Sequence, residues 1–303
     1  AAAAAFGFGA PPLIEGLEFE DDNLSPEVAI NYYINEDTSI YVAYKKAFKS
    51  GGIDNSALPT ASINPLSPTF EGFDALIYDS EEVDGFEIGL KSNLLDNNMR
   101  LNATYYKYEY TNLQVQLFDA AIIQFSTFNA GAVETEGFEA DLLWYTDIPG
   151  LSLRGQFAWT DATNTGDFIT PGGENLKGSK RSYSPEIAGS LGLSYDSGLS
   201  NGWRYNISTD ARYSDEYGWG TYIDSPMQDS FWINDVALSL YSEDGKHSFN
   251  LIGRNLGDEI VIITGGAIPG RISTQTGTSA LIQDQAVTTQ QGKTFTLQYK
   301  YKM

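Results

Sequence analysis

The stretch Leu151–Thr160 alternates without a break: Leu151, Leu153, Gly155, Phe157 and Trp159 fall on one side, and Ser152, Arg154, Gln156, Ala158 and Thr160 on the other. Successive side chains of an extended chain point to opposite faces, so this period of two specifies a strand with one apolar and one polar face. The pattern returns with Val28, Ile30, Tyr32 and Ile34, and with Phe138, Ala140, Leu142 and Trp144. It returns again with Ile187, Gly189, Leu191, Leu193 and Tyr195, and with Trp203, Tyr205, Ile207 and Ala211. No apolar run approaches the roughly 20 residues that a membrane-spanning helix needs. A strand needs no such run, because only every second residue has to face lipid.

The connections between these segments narrow the choice further. Short polar turns at 35–37, 95–98, 147–150, 197–202 and 242–245 alternate with Gly-, Pro-, Asp- and Thr-rich stretches near 49–81, 164–183, 214–229 and 257–291. Sorting by parity is the plan of a transmembrane antiparallel up-and-down β-barrel, with short periplasmic turns and long extracellular loops. A sandwich has no reason to sort its loops in this way. A propeller would repeat a blade motif about every 40 residues, and no such repeat is present. About eleven strands are expected, at 25–35, 38–48, 82–94, 99–118, 122–146, 151–163, 184–197, 203–214, 230–242, 246–256 and 292–303. An odd count leaves the two ends on opposite sides of the membrane, whereas single-chain bacterial barrels have even counts. Either a further strand lies near residues 6–20, or the chain is part of a larger barrel at 24–303, preceded at 1–23 by an extracellular loop stretch; the second is the expectation. The run Ala1–Ala5 specifies no structure.

Composition removes whole classes of chemistry. There is no Cys and a single His, His247, which removes thiolate chemistry and most zinc and Ser-His sites. Forty acidic residues against 18 basic ones give a net charge of −22, which argues against nucleic acid as a partner. Gly198–Gly202 fits the G-x-S-x-G nucleophile pattern, but that elbow needs a strand-to-helix turn, and here the pattern falls between two strands. It reads as a turn, so no catalytic residue, enzyme activity or cofactor is expected.

Two clusters carry possible binding chemistry. Asp79, Glu81, Glu82 and Asp84 gather carboxylates where a long loop meets a strand and could hold Ca²⁺, or form a solvated acidic rim. Tyr217, Trp219 and Tyr222, in another long loop, could stack on a ligand or anchor at the membrane interface. In the run Tyr105, Tyr106, Tyr108 and Tyr110, neighbours face opposite sides, so some of these rings must face the lumen or rise above the membrane. At the C-terminus, Phe295, Leu297, Tyr299, Tyr301 and Met303 line one face of a last strand, with Thr294, Thr296, Gln298, Lys300 and Lys302 on the other. This looks like the signal read by the barrel-assembly machinery, with Met303 standing where Phe or Trp usually does.

The chain resembles the C-terminal half of the barrel of TonB-dependent outer-membrane receptors. The resemblance rests on Leu24–Tyr32, Ile40–Gly52, Glu82–Ser92, Met99–Tyr106, Asn129–Asp141 and Leu251–Asp258, taken in that order and spacing. It implies a plugged 22-stranded barrel in a Gram-negative outer membrane, surrounded by lipid and lipopolysaccharide. It also implies a plug domain outside residues 1–303, an inner-membrane energy-coupling complex as partner, and a C-terminus at the periplasmic rim. The implied function is active uptake of a scarce small-molecule ligand, such as a ferric siderophore or another bulky nutrient. A passive porin-like channel and a structural barrel anchoring a larger assembly are the alternatives.

Overall fold

The structure is a computed structural model and describes residues 18–54, 76–119, 124–170, 173–220, 226–267 and 285–303. Eleven strands form one antiparallel sheet: β1 (Glu27–Tyr33), β2 (Thr38–Lys49), β3 (Glu81–Leu94), β4 (Met99–Thr111), β5 (Val133–Tyr145), β6 (Leu151–Asn164), β7 (Ile187–Gly198), β8 (Arg204–Ser214), β9 (Phe231–Tyr241), β10 (His247–Arg254) and β11 (Thr294–Tyr301). Each strand pairs with the one before and after it, the up-and-down order that hairpin-by-hairpin connection produces. The sheet is open, and β1 and β11 are its two edges.

The short turns are built by their own residues. Gly202, at φ +82°, and Gly150, at φ +85°, sit in the left-handed region that favours glycine. Gly202 N–H donates to the Leu199 carbonyl at 3.1 Å, closing the β7–β8 hairpin inside the G-x-S-x-G pattern. The pattern therefore makes a hairpin turn between strands.

Two expected strands are each divided. The segments 99–118 and 122–146 are not continuous: β4 stops at Thr111, Asn112 adopts φ +53°, and β5 begins only at Val133. Asn tolerates this left-handed conformation because its short polar side chain can bond locally. Between them Gln114–Asp119 pairs with Gln124–Asn129 as a separate ribbon above the sheet. The loop at 112–132 is thus long as well, and every second connection becomes a long one.

Burial is inverted relative to a water-soluble sheet. Large apolar side chains on the strands are exposed, among them Leu191 at 51% and Leu297 at 77%. The buried apolar cluster lies in the long loops, where Leu117, Ala130, Phe168 and Leu176 pack with Leu113, Val115 and Phe128. Water drives the loops to form a core, while the strands leave their apolar side for hydrocarbon.

Candidate functional site: the lumenal wall and its loop mouth

Directly opposed residues of antiparallel strands project to the same face, so the registers assign every side chain. One row runs Ile30, Val42, Ile88, Tyr105, Phe138, Trp159 and Ile187 across β1 to β7. Another runs Leu153, Leu193, Thr209, Val236, Gly253 and Phe295 across β6 to β11. This face is outward. Its rings collect at two heights. At the short-turn rim Trp203 stacks on Phe249 at 6.3 Å, Phe249 meets Tyr299 at 4.9 Å, and His247 meets Tyr301 at 5.1 Å. Toward the loops Phe138 meets Phe157 at 6.4 Å, and Tyr213 meets Trp232 at 5.0 Å. Tyr205 and Tyr213, on β8, mark the two belts about 26 Å apart at roughly 3.3 Å per residue. Strands of outer-membrane barrels tilt by about 35–45°, so this length spans roughly 20 Å of height, most of an apolar band roughly 25 Å tall.

Apart from His247 at the short-turn rim, the basic residues on the outward face of the strands are Lys46 and Lys107, both near the loop rim. Lys46 pairs with Glu82 at 2.7 Å, and Lys107 with Glu134 at 2.9 Å and Glu136 at 3.5 Å. The other basic residues on the strands turn to the opposite, lumenal face.

That face carries a repeated device, in which a long side chain lies across a glycine of the neighbouring strand to reach a partner two strands away. Tyr41 on β2 covers Gly89 on β3, and its hydroxyl is 3.1 Å from that of Thr104 on β4. Tyr106 on β4 covers Gly137 on β5, with its hydroxyl 3.2 Å from that of Thr160 on β6. Arg154 on β6 passes over Gly192 on β7 to Asp210 on β8 at 2.5 Å. At each site a Cβ on the glycine would lie within 2.5 Å of the covering side chain. Tyr108 lies over Gly85 and donates to Glu87 at 2.5 Å, and Lys45 pairs with the same carboxylate at 3.1 Å. Gly85, Gly89 and Gly137 are therefore corridors, and the tyrosines cover backbone that glycine leaves bare. Tyr105 faces outward, while Tyr106, Tyr108 and Tyr110 face the lumen.

Asp210 and Asp235 stand directly opposite each other, an arrangement of like charges that destabilises a sheet. Arg154 neutralises the first, and Arg212 the second at 3.0 Å. Asp235 also accepts the Asn255 N–H at 2.8 Å, and the Asn255 side chain clasps Glu259 through both backbone groups. The stretch Leu251–Asp258 is thus a pinned turn at the loop end of β10. Because these pairs are solvent-accessible, a double-mutant cycle on Arg154 and Asp210 should give a coupling of about 0.5–1 kcal/mol that fades in 1 M salt. Measured coupling that ignores salt would refute the pairing.

The acidic cluster does not converge. Glu82 serves Lys46 and accepts from the Asn23 side-chain amide at 2.9 Å, and Asp84 accepts the Tyr44 hydroxyl at 3.2 Å. Glu81 turns the other way to accept the Gln114 N–H at 2.8 Å, and Asp79 bonds Asn129 through its backbone. Among the described residues no three His, Asp or Glu gather around a metal position. The loop aromatics also separate. Trp219 is buried, at 5% exposure, with its ring over Gly265, so it faces protein and not solvent or lipid. Tyr217 pairs with the Tyr183 ring at 6.0 Å and donates to the Ile262 carbonyl at 3.0 Å. Tyr222 lies outside the described residues.

Tyr217 lines a cavity of about 430 Å³ between the β6–β7 and β8–β9 loops, together with Asn164, Lys180, Arg181, Ser182, Glu186 and Glu216. Lys180 is held by Glu186 at 2.8 Å and Asp161 at 2.9 Å, and its hydrogen bonds to these two carboxylates raise its pKa above the ordinary value. Arg181 was not legible as a site residue, since nothing in the sequence separates it from its basic neighbours Lys177 and Lys180 in the same polar loop.

A family model described as TonB dependent receptor-like, beta-barrel, matches residues 6–256. The chain belongs to the TonB-dependent receptor family. Solved receptor structures share the fold. The ferric yersiniabactin uptake receptor FyuA from Yersinia pestis is 14% identical with a TM-score of 0.69, over 91% of this chain and 36% of that one. The siderophore receptor PiuA from Acinetobacter baumannii is 20% identical with a TM-score of 0.65, over 91% and 35%. The ferric-catecholate import receptor Fiu from K12 E. coli is 20% identical with a TM-score of 0.61, over 91% and 34%. The chain thus spans about a third of the length of these TonB-dependent receptors. No curated protein matches it by sequence.

Proposed function

We propose that this receptor barrel serves active uptake of a bulky, scarce solute across a Gram-negative outer membrane, with a ferric siderophore as the leading class. The observation that carries this is the lumenal wall. Tyr41, Tyr106, Tyr108 and Arg154 lie flat over glycines with their polar ends paired, which suits a wall against which a folded plug packs. The family membership and the siderophore receptors that share the fold support the same reading. The long-loop rim is assigned to the outside, where a ligand arrives, and Met303 to the periplasmic rim. Lipid and lipopolysaccharide surround the outward face, and β11 with Phe295, Leu297, Tyr299 and Tyr301 is the strand offered to the assembly machinery. The plug and the energy-coupling complex it engages belong to the whole protein.

Uptake of ⁵⁵Fe-loaded siderophores by cells carrying the full gene should depend on the inner-membrane energy complex and stop when that complex is deleted. A steady, large single-channel current from the full-length protein, with no energised uptake, would instead make it a porin. A C-terminal tag cleaved by protease in intact cells would overturn the assignment of the two rims.

A further inference from the structure

We propose that Arg181 is a ligand-binding residue, which grips a carboxylate on an aromatic or apolar arm of the solute in the loop-mouth cavity. The proposal rests on the uptake reading and deepens it by naming the chemistry recognised at that mouth.

The backbone sets the direction. Arg181 N–H donates to the Ala162 carbonyl at 2.8 Å, next to the bridge between Thr163 and Lys180, so the pairing of β6 continues into the loop. Both residues line the cavity, but the Lys180 side chain is taken by Asp161 and Glu186 while that of Arg181 is not. Its guanidinium is half-buried and bonds the Asn164 side-chain carbonyl at 3.3 Å. Among the described residues no carboxylate lies within ion-pair distance, whereas Arg154, Arg204 and Arg212 each hold an aspartate. Burial pushes the Arg181 pKa down from its ordinary value, and the negative charge of Glu81 offsets only part of this. A guanidinium stays protonated in protein all the same.

A guanidinium presents five N–H donors in a planar fork, and withdrawing them from water with so few partners is costly unless an acceptor arrives. A pair of anionic oxygens fits that fork bidentately. Other donors of the cavity are committed: the Lys180 ammonium to Asp161 and Glu186, the Tyr217 hydroxyl to Ile262, and the Ser182 hydroxyl to Gly220. Tyr217, Leu176 and Met227 supply the apolar part of the lining. Glu216 and Asp215 also line the cavity, so a solute anionic at both ends is repelled, and one with a single anionic end is favoured. The volume, about 430 Å³, falls in the range of small-molecule sites.

The test uses the full-length receptor in detergent, with benzoate and its neutral isostere benzamide as probes, followed by ligand-observed NMR. Benzoate should bind and benzamide should bind roughly tenfold more weakly or not at all. Arg181→Gln should reduce the benzoate affinity to that of benzamide, and Arg181→Lys should restore part of it. Absent benzoate binding, equal affinities for the two probes, or unchanged binding by Arg181→Gln would overturn the proposal. The benzoate–benzamide comparison needs no variant, so a folding defect cannot mask the answer. Neither measurement involves energised transport, so failure of the Arg181 proposal is distinct from failure of the uptake reading.

Discussion

Replacing Leu191 by Arg should destabilise the folded barrel by about 2–4 kcal/mol, whereas Ser194→Arg should cost well under half of that. Leu191 is on the outward row of β7, between Gly155 and Ala211, and is 51% exposed. In water such exposure would cost a leucine its hydrophobic gain. In lipid it is the stable arrangement, and a guanidinium there must be dragged into hydrocarbon or snorkel out. Ser194 faces the other way, opposite Ser152 and Ser208, where its hydroxyl accepts the Asn206 amide at 2.9 Å. Arg there reaches a polar lumen. Guanidinium titration of the full-length protein folded in liposomes reads both values, and equal losses would refute the assignment of faces.

The second large effect concerns a corridor. Gly137→Val should cost about 1–3 kcal/mol, as overpacking does when backbone blocks the way. A Cβ at 137 would meet the Tyr106 hydroxyl at 2.5 Å and the Trp159 carbonyl oxygen at 2.6 Å. The tyrosine could swing away, losing its bond to Thr160, but the carbonyl belongs to the adjacent strand and cannot. Gly155 is the control. Its face is outward and the atom nearest to an added Cβ would be 3.8 Å away, so Gly155→Val should be near neutral. If the two valines cost the same in that titration, the corridor is not what selects glycine at 137.

Much of this architecture could be read from the chain in advance. Alternation at Leu151–Thr160 set out the two faces of β6, and β11 was legible from Phe295, Leu297, Tyr299 and Tyr301. The parity of the connections separated the rims, although 112–132 hid its loop because apolar Val115, Leu117 and Phe128 do form strand, in a ribbon that packs in the loop core apart from the main sheet. The candidate site residues were less legible. Trp219 and Tyr217 stand two apart in sequence and share a composition cue, yet one is buried over Gly265 and the other lines a cavity. The carboxylates from Asp79 to Asp84 looked like one cluster, but an extended backbone sends Glu81 and Glu82 to opposite sides.

The division has a physical cause. Which face a side chain takes is fixed within a residue or two of backbone, so the sequence determined the strands, their lipid side and the hairpin turns. What lies across from what depends on register between segments far apart in the chain. Tyr41 finds Thr104 over Gly89, Arg154 finds Asp210 over Gly192, and Arg181 comes to rest half-buried beside Asn164. Only the tertiary structure sets those distances, and with them which polar groups are satisfied inside the wall and which are left to meet a ligand.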